Sequence, residues 1–248
     1  MQQVMLITGA SRGIGAATAR LAAAQGYALC LTYRHRQDAM QSLLEELHAT
    51  GTKAIAVAAD VADEEQVARL FATLDDEFGR LDALVNNAGM LEQQMRLDEM
   101  DAARLARVFA VNVTGSFLCA REAVKRMSTR YGGQGGVIVN VSSIAAKLGA
   151  PNEYIDYAAA KGAIDSMTLG LAKEVAAEGI RVNAVRPGVI DTEIHASGGE
   201  PDRVERVAAS VPMGRGGSAE EVAEAILWLA SDKASYASGA LLDISGGR

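Results

Sequence analysis

Two cysteines, three histidines, four prolines and one tryptophan are all that this 248-residue chain has of these types. Each scarcity removes a class of protein. Cys30 falls in a strand-like run and Cys119 in a helix-like one. That placement suits two buried thiols in a reducing cytoplasm and does not suit a disulfide framework. With His35, His48 and His195 scattered, nothing has metal-ligand spacing, so no metal site is expected. No apolar stretch reaches the roughly 18 residues of a membrane span. Met1-Gln2-Gln3 runs straight into the first apolar run, leaving no room for a signal peptide, and the expected location is cytoplasmic. Aromatic residues are only 4%, so a core of this size relies on close helix–sheet packing through abundant alanine and glycine. Positive charge is also short. The net charge of −7 argues against nucleic acid or an anionic membrane as the main partner.

What is present alternates. Short apolar, β-branched-rich runs occur at Val4–Ile7, Ala28–Tyr33, Ala54–Ala58, Ala83–Val85, Val137–Val141 and Val182–Val185, with a seventh near Ala240–Ile244. Such runs read as strands covered on both faces. Between them lie helical spacings: Ile14–Ala24, Ala39–Thr50, Glu65–Phe78 and a long stretch around Ala102–Met127. Ser218 with Glu221 has the pattern of a capping box, and Asp63 with Gln66 a weaker form of it. Strand–helix alternation with short connections predicts an α/β fold with a parallel, doubly wound sheet and helices on both faces. No linker or repeat interrupts it, so residues 1–248 are expected to form one domain.

Two motifs carry chemistry. Thr8-Gly9-Ala10-Ser11-Arg12-Gly13-Ile14-Gly15 follows the first strand and precedes a helix, the setting in which backbone N–H groups receive a pyrophosphate. Gly9 suits the tight turn, Gly13 the close approach of a cofactor, and Gly15 helix–sheet packing. The spacing G-x-x-x-G-x-G differs from the general G-x-G-x-x-G fingerprint. Tyr157 and Lys161 stand four apart, on one helix face and roughly 6 Å apart along the axis. Among the six tyrosines only Tyr157 has a lysine at that spacing. An ammonium there favours the phenolate, lowers the phenol pKa and makes it a usable acid/base.

Together with Asn86-Asn87-Ala88-Gly89, a serine before Tyr-x-x-x-Lys, and Pro187-Gly188, these motifs resemble the short-chain dehydrogenase/reductases along essentially the whole chain. The nearest look is to the 3-oxoacyl-carrier-protein reductase and glucose-dehydrogenase-like branches. The resemblance implies a Rossmann-like sheet of seven strands, a nicotinamide cofactor, hydride transfer between a carbonyl and a secondary alcohol, and a homotetramer. It implies Tyr157 as proton donor or acceptor, Lys161 on the nicotinamide ribose, Ser143 on the reacting oxygen and Asn112 behind the lysine in a proton relay. For the cofactor it implies Gly9, Ser11, Arg12, Gly13, Ile14 and Gly15. It adds Asp60 and Val61 at the adenine, Asn87, Ala88 and Gly89 along the ribose, and Pro187, Gly188, Ile190 and Thr192 near the carboxamide. The stretch of about 191–217 would be a mobile lid. Ser143 lies fourteen residues before Tyr157, one more than is common in the family, which implies an inserted residue. Ser142 is the alternative serine, and Tyr154 a competing tyrosine with Ala158 where the lysine belongs.

Cofactor choice follows from charge. No acidic residue occurs from Ala16 to Gln37, where NAD-preferring enzymes carry one for the ribose 2′-hydroxyl. The second strand ends at Tyr33-Arg34, and Arg34 with Arg12 would attract a 2′-phosphate, so NADP(H) is expected over NAD(H). Three matters stay open. The substrate is a small ketone, a sugar or a 3-oxoacyl thioester. Arg121, Lys125, Arg126 and Arg130 either receive an acyl carrier protein or merely suit a helix C-terminus. A non-catalytic NADP-binding sensor of the same fold, or a Rossmann-type methyltransferase, would share the glycine loop.

Overall fold

A computed structural model describes residues 2–248. Its seven strands are β1 (Val4–Ile7), β2 (Ala28–Tyr33), β3 (Ala54–Ala58), β4 (Ala83–Asn86), β5 (Gly136–Val141), β6 (Ile180–Pro187) and β7 (Leu241–Ile244). They form one sheet in the order β3-β2-β1-β4-β5-β6-β7, every neighbouring pair parallel. Ten α-helices connect or cover them: α1 (Gly13–Ala24), α2 (Gln37–Ala49), α3 (Glu64–Phe78), α4 (Ala102–Phe109), α5 (Gly115–Met127), α6 (Ala145–Leu148), α7 (Ile155–Val175), α8 (Ile194–Ser197), α9 (Arg203–Ala208) and α10 (Ala219–Ala230).

Continuous apolar strands are explained by burial on both faces. Met5, Ile7, Leu29, Leu31, Val85 and Val139 face a core shared with α1, α2 and α10. The alternate residues Leu6, Cys30, Leu84, Ile138 and Val182 face a second core with α3, α5 and α7. The strand period of two sends neighbours to opposite layers, so neither face of a strand is free to be polar. Both cysteines lie buried, and burial pushes each thiol up to about 12.

Helix starts follow local chemistry. The Ser218 hydroxyl accepts from Glu221 N–H at 3.2 Å while the Glu221 carboxylate accepts from Ser218 N–H at 2.8 Å, completing the expected capping box on α10. Asp63 caps α3 by accepting from the N–H groups of Glu65 and Gln66. Each such cap stabilises its helix by about 1 kcal/mol. The long stretch around Ala102–Met127 is α4 and α5 joined by one π-helical turn, Ala110–Thr114. Asn112 sits inside that turn, and π-turns recur at functional positions.

Strand order reverses direction at β1, whose neighbours are β2 on one side and β4 on the other. A crevice at the carboxyl ends of strands at such a switch point is where doubly wound sheets bind ligands. Among the described residues no helix is long and apolar enough to cross a membrane. No cluster of three or more His, Cys, Asp or Glu among them is placed to hold a metal ion.

Candidate active site

At the switch point a groove of about 410 Å³ runs between the glycine loop and the ends of β2, β3 and β4. Thirteen expected cofactor residues line it: Gly9, Ser11, Arg12, Gly13, Ile14, Tyr33, Arg34, Asp60, Val61, Asn87, Ala88, Gly89 and Thr192. Gly9 has φ +63° and an added Cβ would stand 2.9 Å from Ala88 Cα, so only glycine fits that turn. Gly13 has φ +53°. Gly15 lines neither this groove nor the cavity beside it. A Cβ there would lie 2.6 Å from Asn87 Nδ2 and from the Gly9 carbonyl oxygen, so its role is packing. Arg12 precedes α1 without a side-chain cap, so the first helical amides are left without that partner at a helix end suited to an anion.

Thr8, the first residue of the glycine motif, organises this wall, a role the sequence did not assign to it. Its hydroxyl oxygen accepts from the N–H groups of Asn87 (3.0 Å) and Ala88 (2.9 Å), and Asn87 Nδ2 donates back to the carbonyls of Thr8 and Gly9. Thr32 accepts from Gly9 N–H at 3.1 Å. Asn86 points into the protein, donating to Asn140 Oδ1 and to the Ser116 carbonyl.

Charge at the far end of the groove is more mixed than the sequence suggested. Asp60 reaches Arg34, with Oδ2 3.0 Å from Nε. Arg12 donates to the Glu193 carbonyl and to Ser197 Oγ, tying the glycine loop to the segment after β6. His35 and Arg36 also line the groove. Burial and then the nearby Arg36 charge lower the Arg12 pKa.

A second cavity, of about 360 Å³, adjoins the groove and shares Ile14, Asn87, Gly89, Thr192 and Ile194 with it. Ser143, Tyr157, Lys161, Pro187, Gly188 and Ile190 line this cavity. Lys161 is only 4% exposed; its Nζ donates to the Val141 carbonyl at 2.7 Å and lies 5.5 Å from the Tyr157 ring centroid. Burial pushes this ammonium down to about 8, with Asp165 opposing. The phenol departs from the expectation. Burial pushes Tyr157 up to about 12, and hydrogen bonding with Ser143 opposes the rise. Desolvation disfavours both charged forms, and for the phenol it outweighs the hydrogen bonding with Ser143.

The two serines are resolved by their partners. Ser142 Oγ lies 2.7 Å from Asp165 Oδ1 and 3.1 Å from the Lys161 carbonyl, so it faces α7. Ser143 Oγ accepts from Ala145 N–H at 3.1 Å and stands beside the Tyr157 phenol. Tyr154 lies on the turn before α7, buried beneath Arg203, whose guanidinium is 5.0 Å from its ring centroid. The loop with the expected insertion turns through Gly149, Ala150 and Asn152, all at positive φ. Asn112 lines neither cavity: its Nδ2 donates to the Met90 and Val108 carbonyls, and its Oδ1 accepts from Met90 N–H. The side chain thus clamps the Gly89–Met90 segment to the π-turn.

Known proteins resemble this chain along essentially its whole length. The sequence profile described as enoyl-(acyl carrier protein) reductase matches residues 9–248. The uncharacterized oxidoreductase YgfF of Escherichia coli K12 is 56% identical over 99% of both chains. The chain belongs to the short-chain dehydrogenase/reductase family. A second relative, the cis-4-hydroxycyclohexanecarboxylate dehydrogenase of Sinomonas cyclohexanicum, is 43% identical over 99% of this chain and 96% of its own. Among solved structures, a metagenomic blue fluorescent protein in complex with NADPH superposes with TM-score 0.90 at 34% identity, covering 99% of this chain and 97% of that one. The 3-ketoacyl-(acyl-carrier-protein) reductase of Brucella melitensis with NADH reaches 0.91 at 33% identity, covering 99% and 98%. This short-chain dehydrogenase/reductase is therefore an oxidoreductase acting on CH–OH groups with a nicotinamide cofactor.

Two elements of the site had no sequence signal. Arg104 on α4 and Asp156, the residue before Tyr157, form a buried ion pair at 2.7 Å, and Asp156 Oδ1 accepts from Tyr157 N–H at 2.9 Å. Arg203 and Arg206 on α9 pair with Glu153, before α7, and with Glu200, in the same segment as α9. Residues far apart in sequence make these contacts, so no local pattern announces them.

Proposed function

We propose that this chain is an NADP(H)-dependent reductase that interconverts a small ketone and its secondary alcohol, with Tyr157 as the group that moves the proton. The observation that carries the reading is the shared wall. Ile14, Asn87, Gly89 and Thr192 belong both to the groove at the glycine loop and to the cavity holding Ser143, Tyr157 and Lys161. The backbone cradle at Gly9 and Gly13 and the uncapped start of α1 fit a dinucleotide pyrophosphate. The bound nicotinamide supplies or accepts the hydride. Ser143 hydrogen-bonds the carbonyl oxygen and orients it, and Tyr157 donates a proton there during reduction or takes one during oxidation. Lys161 holds positive charge at the ribose side, 5.5 Å from the Tyr157 ring centroid. Asn112 acts by fixing Gly89 and Met90, beside which the ribose would lie.

Absence of a carboxylate along the second strand, with Arg12, Arg34 and Arg36 at the groove, supports NADP(H). Asp60 then orients Arg34 instead of reading a hydroxyl. Equal or higher kcat/KM with NADH would overturn this preference. A small substrate fits better than a carrier protein. Arg121, Lys125 and Arg126 are paired with Glu64, Glu122 and Asp75, so most of the basic helix end is neutralised within the chain. The segment 191–217 acts as the lid, latched through Arg203 and Arg206 to Glu153. Residues 1–248 work as one unit in the cytoplasm. The unit assembles as a homotetramer through exposed Phe109, Phe117, Leu169 and Trp228.

The test is an NADPH-linked screen of ketones, sugars and acyl thioesters with the wild type and Tyr157→Phe. Tyr157→Phe should lose about 10²- to 10⁴-fold in turnover while NADPH binding, read by fluorescence, persists. Unchanged turnover refutes the acid/base assignment, and NADPH binding without turnover of any ketone identifies a sensor.

A further inference from the structure

Two buried polar atoms in residues that line the substrate cavity have no partner. Tyr154, 3% exposed, stands before α7, and its Oη makes no hydrogen bond. His195, 8% exposed, lies on α8, and its Nδ1 makes none. Both residues belong to the wall around Ser143 and Tyr157. A Cβ built on Gly198, three residues past His195, would lie 3.3 Å from Tyr154 Oη, so that hydroxyl sits directly beneath the segment that carries His195.

The chemistry of each atom follows from its neighbours. His195 Nε2 is 2.9 Å from the Ile190 carbonyl oxygen, which can only accept. Nε2 therefore carries the proton, and Nδ1 is a bare acceptor in the neutral ring. Burial lowers the imidazole pKa, in keeping with a neutral ring near pH 7. The Tyr154 hydroxyl has a proton to give. The nearest strong charge is already balanced, since Arg203 pairs with Glu153 and Glu200. A carboxylate would take the Tyr154 proton but face the Nδ1 lone pair, and a ketone or ether oxygen would leave Nδ1 unpaired. A hydroxyl donates to one and accepts from the other.

We infer that Tyr154 and His195 form a subsite for a second hydroxyl on the substrate, remote from the reacting carbon, so that the substrate class is a small neutral hydroxyketone or diol. This rests on the carbonyl-reductase reading above. Both atoms are closed off from solvent, so occupation of the subsite requires α8 to lift as substrate enters.

Two matched pairs of probes test it: cyclohexanone with 4-hydroxycyclohexanone, and 2-hexanone with 6-hydroxy-2-hexanone. In at least one pair the wild type should favour the hydroxylated ketone in kcat/KM by about tenfold or more. Tyr154→Phe, and His195→Gln, which keeps a donor for Ile190 while deleting Nδ1, should each bring that ratio toward one. Equal kcat/KM within both pairs, or a ratio untouched by both variants, overturns the subsite. Thermal shifts with NADPH and each ketone report binding without turnover. A hydroxyl-dependent shift that Tyr154→Phe abolishes supports the subsite even if no ketone is reduced, and in that case only the oxidoreductase chemistry fails. Shifts that are equal or absent within both pairs count against the subsite.

Discussion

Replacing Lys161 by methionine should make the protein more stable and nearly inactive. The ammonium is almost fully buried, and burial takes its pKa from the ordinary 10.5 to about 8. That fall corresponds to about 3 kcal/mol of destabilisation at pH 7, where the native state must hold the charge out of water. Methionine has similar length and no charge. The variant also loses the bond from Nζ to the Val141 carbonyl, worth about 1 kcal/mol net. The balance is about 2 kcal/mol in favour of the variant, or about 4–8 °C in Tm for a chain of this size. The dependence on pH has a definite sign. A base with a depressed native pKa destabilises most below that pKa and less as pH rises through it toward the unfolded value. Wild type should therefore gain stability relative to the variant between about pH 8 and 10.5, and by pH 9.5 most of the Tm gap should have closed. Thermal melts at pH 7 and 9.5, with NADPH-linked activity measured alongside, check both halves. A methionine variant that melts at or below wild type at pH 7 would refute the reasoning, as would a gap that ignores pH.

Other consequences follow from the same geometry. Arg34→Glu places a carboxylate beside the groove next to Asp60, and kcat/KM should move toward NADH by about 10- to 100-fold; an unchanged ratio of the two cofactors removes Arg34 from the cofactor site. Gly9→Ala combines a positive φ with a Cβ 2.9 Å from Ala88 Cα, so melts should show a loss of about 2–3 kcal/mol and fluorescence titration a weaker grip on NADPH. Asp156→Ala strands the buried Arg104 charge at the start of α7 and should destabilise by about 3–5 kcal/mol, while the double variant Arg104→Met/Asp156→Leu recovers most of it; a single variant that melts like wild type contradicts the buried pairing.

Keeping Tyr157 and Lys161 together in a dry cavity wall costs stability. A phenol held at about 12 and an ammonium at about 8 are both pushed toward neutrality by the same dry surroundings. Burial alone does the same to the thiols of Cys30 and Cys119, so what distinguishes Tyr157 and Lys161 is their place together on one cavity wall. Lys161 can carry charge only because Val141 and Asp165 supply an acceptor and a nearby anion.

The sequence by itself determined what a few neighbouring residues encode. Val4–Ile7, Ala28–Tyr33 and Ala54–Ala58 were readable as strands because parallel strands buried on both faces must be apolar throughout. The capping box at Ser218, the glycine loop and the four-residue spacing of Tyr157 and Lys161 are equally local. The tertiary structure alone decided the rest. It inserted a π-turn at Ala110–Thr114, brought Asp60 to Arg34, and turned Ser142 toward Asp165, leaving Ser143 beside the phenol. It also raised the phenol pKa where spacing pointed down, and left Tyr154 Oη and His195 Nδ1 unpaired. Desolvation and pairing depend on which distant residues close around a group, and periodicity along one segment carries no record of them.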